Sequence, residues 1–409
     1  VTPRAVTRPG LAPAGAGPAL FLVAGEVSGD IYGSDLVAAL RARRPDLTLV
    51  GVGGPRMAAA GCDVLLDTTA WGVIGWAEAL VHLPAFLLRL RRVERLIRRV
   101  RPAVLVLIDF PGFNLVLAHR LRGAVPIAYF LPPMVSTRRG DRARRIAALG
   151  LHLLPAFTFE AEAYRSAAAD AVFVGHPVLD RVRPPDSIEA VRARLGLGDG
   201  PTVALLPGSR WQELRRHLPV MARALGLAAE EVPGLQAVVL VAAAPFHPWT
   251  ARTLDRSVPS GIPVRLVPGG TPEGYAALGA ADFAVVCSGT ATLEAMVLGV
   301  PMVIVYRLSR TTWWVARRLA AVGTAGLPSL VAGRPVVPEL LQEALTPQRL
   351  AAEMVAWLRS PGRRAEMREA LLALRDRLGP GGAAGRAAEA ILGLVETRAR
   401  PHSGVPSLP

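Results

Sequence analysis

The residues best suited to chemistry fall in short strings where an apolar run gives way to a turn. In LIDFPGFN (Leu107 to Asn114), Asp109 ends such a run and Pro111 and Gly112 stop it. A carboxylate left beside that opening is placed to take a proton from a substrate hydroxyl, and partial burial would tune its basicity. Asn114, five residues on, is placed to orient either the carboxylate or a sugar. A plain turn-forming aspartate has the same spacing. In AGEVSGD (Ala24 to Asp30), two carboxylates, a hydroxyl and two glycines follow the first apolar run. Glu26 is the second catalytic candidate. Ser28, Gly29 and Asp30 are substrate-binding candidates, because small residues let a ligand approach the main chain. Ser28 and Asp30 would serve equally as helix caps.

Two further strings carry phosphate chemistry. In LLPGSR (Leu205 to Arg210), a tight turn at Gly208 and Ser209 exposes main-chain amides, and Arg210 can fork onto a diphosphate. In CSGTATLE (Cys287 to Glu294), Ser288, Gly289 and Thr290 open a helix whose dipole favours an anion. Glu294, one turn later, is spaced to meet a ribose diol. An ordinary strand-to-helix turn accounts for the first string and a capping box for the second. His176, in VGHPVLD, is a substrate-binding candidate that would alternatively just pack. Arg138 to Arg145 is densely basic, with a solvated helix face as the plain reading.

The elements that must position these residues alternate. Apolar runs at Ala19 to Gly25, Leu47 to Val52, Val104 to Asp109 and Ile127 to Phe130 read as strands, with helices over Ile31 to Arg44 and Leu83 to Val100. The alternation restarts with strands at Val203 to Leu206, Ala237 to Ala242, Val264 to Val267 and Phe283 to Cys287, and helices over Gln212 to Leu227 and Thr290 to Leu298. This predicts an α/β protein of two doubly wound, Rossmann-type domains facing a central cleft, with ligand sites at the carboxyl ends of parallel strands. The proline-rich GHPVLDRVRPPD is read as a hinge over 176–186, between an acceptor-side domain (19–175) and a nucleotide-binding domain (187–375). A helical tail, 376–409, is free to return to the first domain.

Composition narrows the classes. At 409 residues, 51% hydrophobic and 19% charged, the chain has material for two cores and is not disordered. The net charge of +15 is carried entirely by arginine, since lysine is absent. It reads partly as a genomic composition bias and partly as affinity for anions. Cys62 and Cys287 have neither disulfide nor zinc spacing, so no metal is expected and a reducing cytoplasm fits. Neither a signal peptide nor a membrane-spanning run is expected. Trp71 to Arg99 and Arg310 to Leu319 mix Trp, Leu and Arg in a way that suits a lipid interface, although a core helix with a basic outer face looks similar. No aromatic platform for nucleic acid is found.

Taken in order, AGEVSGD, GVGGPRM (Gly51 to Met57), IDFPGFN, VGHPVLD, LLPGSR, CSGTATLE and LPSLVAGR (Leu327 to Arg334) resemble the lipid A disaccharide synthase family from about Ala19 to about Arg375. The resemblance implies a GT-B glycosyltransferase. Such an enzyme joins UDP-2,3-diacylglucosamine to 2,3-diacylglucosamine 1-phosphate through a β-1,6 bond, uses no cofactor or metal, and sits peripherally on the inner face of the inner membrane. It also implies that Asp109 is the family's essential aspartate, that Glu26, Ser28 and Asp30 belong to its first loop, and that Arg210, Ser288, Thr290 and Glu294 serve the UDP side. A homodimer is left open. The chain departs from the family at Pro132 to Arg139, where an aromatic segment is usual, at Ser329 in place of asparagine, and at Gly112 in place of aspartate. These departures bear on the acceptor more than on UDP. A related GT-B or epimerase-like enzyme and a nonenzymatic basic binding protein are the rival readings.

Overall fold

Strands buried on both faces read as unbroken apolar runs, and those of this chain do so because every pairing is parallel. The computed structural model describes residues 17–68, 71, 83–135, 140–309, 313 and 326–399. Its first sheet comprises β1 (Ala19–Ala24), β2 (Thr48–Gly53), β3 (Asp63–Asp67), β4 (Val104–Ile108), β5 (Ile127–Phe130) and β6 (His152–Leu154), in the order β3-β2-β1-β4-β5-β6. The second comprises β7 (Thr202–Leu206), β8 (Gln236–Val241), β9 (Val264–Pro268), β10 (Phe283–Cys287), β11 (Met302–Tyr306) and β12 (Glu339–Leu341), in the order β12-β11-β10-β7-β8-β9. Both are the doubly wound pattern expected from the alternation. Each chain segment starts mid-sheet, builds to one edge, returns and builds to the other, so its strand order reverses between β1 and β4 or between β7 and β10.

Helices fill the connections. In the first half they are α1 (Glu26–Arg43), α2 (Pro55–Ala59), α3 (Leu83–Val100), α4 (Pro111–Arg120), α5 (Gly140–Ala147) and α6 (Thr158–Ser166). After α7 (Val178–Arg181) and α8 (Ile188–Arg194) come α9 (Trp211–Glu231), α10 (His247–Ser257), α11 (Pro272–Gly279), α12 (Ala291–Val297) and α13 (Leu327–Ala332). The chain closes with α14 (Pro347–Leu358), α15 (Pro361–Arg375) and α16 (Ala383–Ala399). The chain divides into two compact units. The first holds the described residues up to Pro177 and those from Gly379 onward, and the second is Val178–Leu378. The tail helix α16 packs on α1 within the first unit. Its entry is fixed by the Arg386 guanidinium, which donates to the Val174 carbonyl from Nε at 2.9 Å and Nη2 at 2.6 Å.

The core of the first unit joins Phe21, Val23, Leu105, Leu107, Phe113 and Tyr129 from the sheet and α4 to Leu90, Val93 and Ile97 of α3. Each fully buried apolar side chain among them contributes about 1.5–3 kcal/mol. The three α3 residues recur at helical spacing, while Arg91, Arg92, Arg95, Arg98 and Arg99 face solvent. One expectation changes: α1 begins at Glu26, not Ile31, so the Glu26 to Asp30 stretch read as a turn is already helix. Gly25, extended at φ −111°, and Glu26, left-handed at φ 64°, make the corner between strand and helix. The strands absent from the sequence reading are β3, β6, β11 and β12, of which β3, β6 and β12 are short edge strands.

Candidate functional site

Adjacent strand ends bring the first pair of motifs together. Ala24 of β1 pairs with Ile108 of β4, so Gly25–Glu26 and Asp109–Phe110 leave neighbouring strands at the point where the sheet order reverses. The two corners touch closely: a Cβ on Gly25 would stand 2.2 Å from the Phe110 ring. The Thr68 hydroxyl donates to the Ala24 carbonyl at 2.5 Å and fixes the end of β1. Glu26, Asp109 and Phe110 all have left-handed backbone, with φ of 64°, 47° and 51°. For residues with a Cβ this is strained by roughly 1–3 kcal/mol each, and such strain persists where surrounding contacts hold it.

Those contacts are explicit at Asp109. Its N–H donates to the Phe130 carbonyl at 3.0 Å. Its own carbonyl accepts from Asn114 Nδ2 at 2.7 Å and from the Tyr129 hydroxyl at 2.8 Å. Burial pushes the Tyr129 hydroxyl well up, so it remains a donor at any physiological pH. The half-buried carboxylate accepts from Ser28 Oγ across 3.4 Å, a long bond that adjusts easily. Asn114 is fully buried and acts on main chain, including the Ile108 carbonyl at 3.2 Å, so it orients Asp109 rather than a sugar. Gly112 is exposed, with nothing within 4 Å of where a Cβ would stand.

Three substrate-binding candidates in this unit are occupied by structural contacts. Asp30 is 3% exposed, and its carboxylate accepts the N–H groups of Gly54 at 2.9 Å, Arg56 at 3.1 Å and Met57 at 3.0 Å. It caps α2, across the sheet in sequence, instead of its own helix. His176 is 6% exposed and packs against Tyr32 and Phe157 at centroid distances of 5.8 and 5.4 Å. Burial lowers its pKa to about 3, so it carries no charge for a phosphate. Gly29 is buried against β1, a Cβ there lying 3.4 Å from that of Ala24, so it serves helix–strand packing. A surface cavity of about 430 Å³ lined by Arg122, Pro126, Ile127 and Leu151 lies at the amino ends of β5 and β6, remote from Asp109.

The second unit repeats the arrangement. Leu206 of β7 pairs with Val286 of β10, so the Pro207–Arg210 turn and the Ser288–Thr290 turn leave neighbouring strands where that sheet reverses. Gly289 is exposed at φ 144°, with open space where a Cβ would stand, so a ligand can approach the turn closely. Thr290 makes no side-chain cap, which sets aside the capping box; the Thr292 hydroxyl donates instead to the Gly289 carbonyl at 2.7 Å. The Ser288 amide continues the sheet by donating to Val305 at 3.1 Å. Glu294 is half-buried on α12.

At Gly208 to Arg210 the structure differs from the sequence reading. The Ser209 amide does not point outward; it donates to Glu213 Oε2 at 3.0 Å, while Arg210 Nη1 donates to Glu213 Oε1 at 2.7 Å. His217, fully buried one turn further, shares its Nδ1 proton with the Pro207 carbonyl at 3.0 Å and accepts the Arg307 N–H on Nε2 at 2.9 Å. That second bond requires neutral imidazole, and burial lowers the pKa accordingly. Burial likewise pushes the neighbouring Cys287 thiol up, so it is not a nucleophile.

Of the two lipid-interface stretches, 72–82 and 310–319 apart from Trp313 lie outside the described residues. Trp71 is part of the core edge, 5.8 Å from Phe113, with the Arg89 guanidinium over its ring at 5.2 Å. Arg138 and Arg139 lie outside the described residues, while Arg142, Arg144 and Arg145 are exposed. Among the described residues no helix is long and apolar enough to cross a membrane, and no group of three His, Cys, Asp or Glu side chains is placed to hold a metal ion.

Comparison with known proteins identifies the family and the fold. A family model for lipid-A-disaccharide synthetase matches residues 20–378. The chain is 46% identical over 384 residues to the lipid-A-disaccharide synthase of Myxococcus xanthus, covering 92% of this chain and 98% of the relative. It is 40% identical over 380 residues to that of Pseudomonas aeruginosa, with coverage of 92% and 98%. Similar solved structures include the UDP-GlcNAc 2-epimerase of Neisseria meningitidis bound to UDP-GlcNAc, with a TM-score of 0.62, 11% identity and coverage of 92% and 100%. The calicheamicin glycosyltransferase CalG4 has a TM-score of 0.57, 17% identity and coverage of 94% and 99%. At such identities the structural likeness concerns the fold alone.

Proposed function

The chain belongs to the lipid-A-disaccharide synthetase family, and from that premise we propose how it works as a disaccharide-forming glycosyltransferase. It transfers 2,3-diacylglucosamine from its UDP carrier to the 6-hydroxyl of 2,3-diacylglucosamine 1-phosphate, forming a β-1,6 bond and releasing UDP. The observation that carries this reading is the half-buried Asp109 carboxylate at the first sheet's reversal, on a strained main chain held by Asn114, Tyr129 and Phe130. Asp109 accepts the hydroxyl proton as that oxygen attacks the anomeric carbon. The bond to the UDP β-phosphate oxygen breaks in the same displacement, inverting the configuration. Ser28 steadies the carboxylate, and Glu26 contacts the acceptor at the same corner. Arg210 and the Ser288–Thr290 turn meet the charge that develops on UDP, and Glu294 meets its ribose. The directed N–H groups of Arg210 and the Ser288–Thr290 turn supply that stabilisation, so the reading invokes no metal or cofactor.

Both substrates carry acyl chains, which calls for peripheral work at the inner face of the inner membrane. The exposed arginines of α3 beside Leu88, itself 62% exposed, and the net charge of +15 support attraction to an anionic surface. The test is incubation of the full chain with both diacylglucosamine substrates in anionic vesicles, followed by mass analysis for the disaccharide. Product is expected, with turnover that falls as salt rises in vesicles but not in neutral detergent micelles. Asp109→Asn is expected to melt as the wild type and to lose roughly 10²–10⁴-fold in turnover. Near-normal turnover by that variant removes the base assignment, and no disaccharide from the wild type removes the whole reading.

A further inference from the structure

Glu213 was not among the residues singled out by sequence, yet the donor-side turn is built around it. Both oxygens of its carboxylate are used: one takes the Ser209 amide and the other the Arg210 guanidinium. The side chain is only 9% exposed, so these are charge-assisted bonds in a poorly solvated place. The turn must yield room for it. Gly208 has φ 124°, and a Cβ there would stand 2.5 Å from the Glu213 Cβ and 2.8 Å from Oε2. One helical turn on, His217 holds the Pro207 carbonyl and ties the turn to the Arg307 amide. Two neighbouring side chains of α9 therefore grip the turn on either side of Gly208.

We infer that Glu213 is a positioning residue of the donor site, holding the Arg210 guanidinium in place for a nucleoside diphosphate. The inference rests on the reading that Arg210 meets the UDP diphosphate. An arginine has many rotamers, and one already held loses less freedom when an anion arrives. The buried carboxylate also balances the guanidinium charge before the ligand binds, so Arg210 acts through directed N–H groups more than through net charge. The alternative is that Glu213 only closes the first turn of α9, as an acidic residue at the third helical position commonly does. The two roles differ in one measurable respect: a residue acting through Arg210 matters only while Arg210 is present.

The experiment is calorimetric titration of UDP into the full chain as wild type, Glu213→Gln, Arg210→Ala and the double variant, with melting curves for each. Glutamine keeps an acceptor for the Ser209 amide but removes the charge pair. The expected result is an affinity about tenfold weaker in Glu213→Gln, and no further loss from that change in the Arg210→Ala background. An unchanged affinity in Glu213→Gln, or the same loss in both backgrounds, overturns the inference while leaving the diphosphate reading intact. Arg210→Ala binding UDP as well as the wild type instead overturns the reading beneath it. Should Glu213→Gln fold poorly, Glu213→Asp, which keeps the charge but draws the carboxylate back by one methylene from Arg210, provides the same comparison in the two backgrounds.

Discussion

Asp109 is located through its backbone. Two side-chain donors, Asn114 and Tyr129, converge on its carbonyl, and a main-chain bond to Phe130 anchors its amide. Tyr129→Phe removes one of those donors without changing the shape of the core, so it should cost about 1 kcal/mol in stability. Its effect on turnover should be larger: roughly a tenfold fall in kcat at unchanged donor KM, because a small displacement of a base weakens proton transfer more than it weakens binding. Steady-state kinetics decide this, and a matched fall in kcat and rise in KM would mean that Tyr129 only supports the fold. The sequence made Asp109 visible because a carboxylate followed by proline and glycine stands out at the end of an apolar run. Tyr129 stayed hidden because, within a strand of buried residues, a hydroxyl that reaches a neighbouring strand end looks like any other aromatic. Glu213 left a faint signal, three positions after Arg210 at a helix start, which is legible only once the turn is known to fold back on it.

Among the elements, the strand ends at the two reversals gather most of the candidate site residues, and the alternation of runs and helices was sufficient to find them. The corners themselves were less legible. Glu26 to Asp30 reads as a turn because it is rich in glycine and small polar residues, yet Gly25 and the left-handed Glu26 make the corner and the rest of the stretch is already α1. Short edge strands such as β6 and β12, three residues each, bury too little to leave a pattern. Asp30 shows how an element can claim a residue that resembles a ligand contact. Its carboxylate satisfies three amides at the start of α2, so Asp30→Ala should cost about 2–3 kcal/mol by leaving buried donors unpaired. Chemical denaturation should show that loss while the acceptor KM of the remaining folded protein stays as it was. Intact stability with a raised acceptor KM would return Asp30 to the substrate.

For the molecule as a whole, two buried groups in the first unit set opposite limits on stability with pH. Burial holds His176 at about 3, below its ordinary 6.5, so the folded chain binds fewer protons there than the unfolded chain. Its contribution is complete above pH 6.5 and is lost as pH falls toward 3. Glu160, on α6, is 3% exposed, and burial raises it from 4.5 to about 8. The folded chain then binds more protons, so that contribution is complete below pH 4.5 and is lost as pH rises toward 8. Between 4.5 and 6.5 the two slopes oppose each other, so these two groups together favour the acid side of neutrality. Because the chain has two units, one global midpoint would blend their transitions, and hydrogen exchange resolved by segment is the suitable measurement. Protection in β1, β4 and β5 should decline from pH 6 to pH 9 once corrected for intrinsic exchange rates, and Glu160→Gln should flatten that decline while leaving the acid limb in place. An unaltered decline in the glutamine variant would assign the alkaline loss to another group and remove Glu160 as its source.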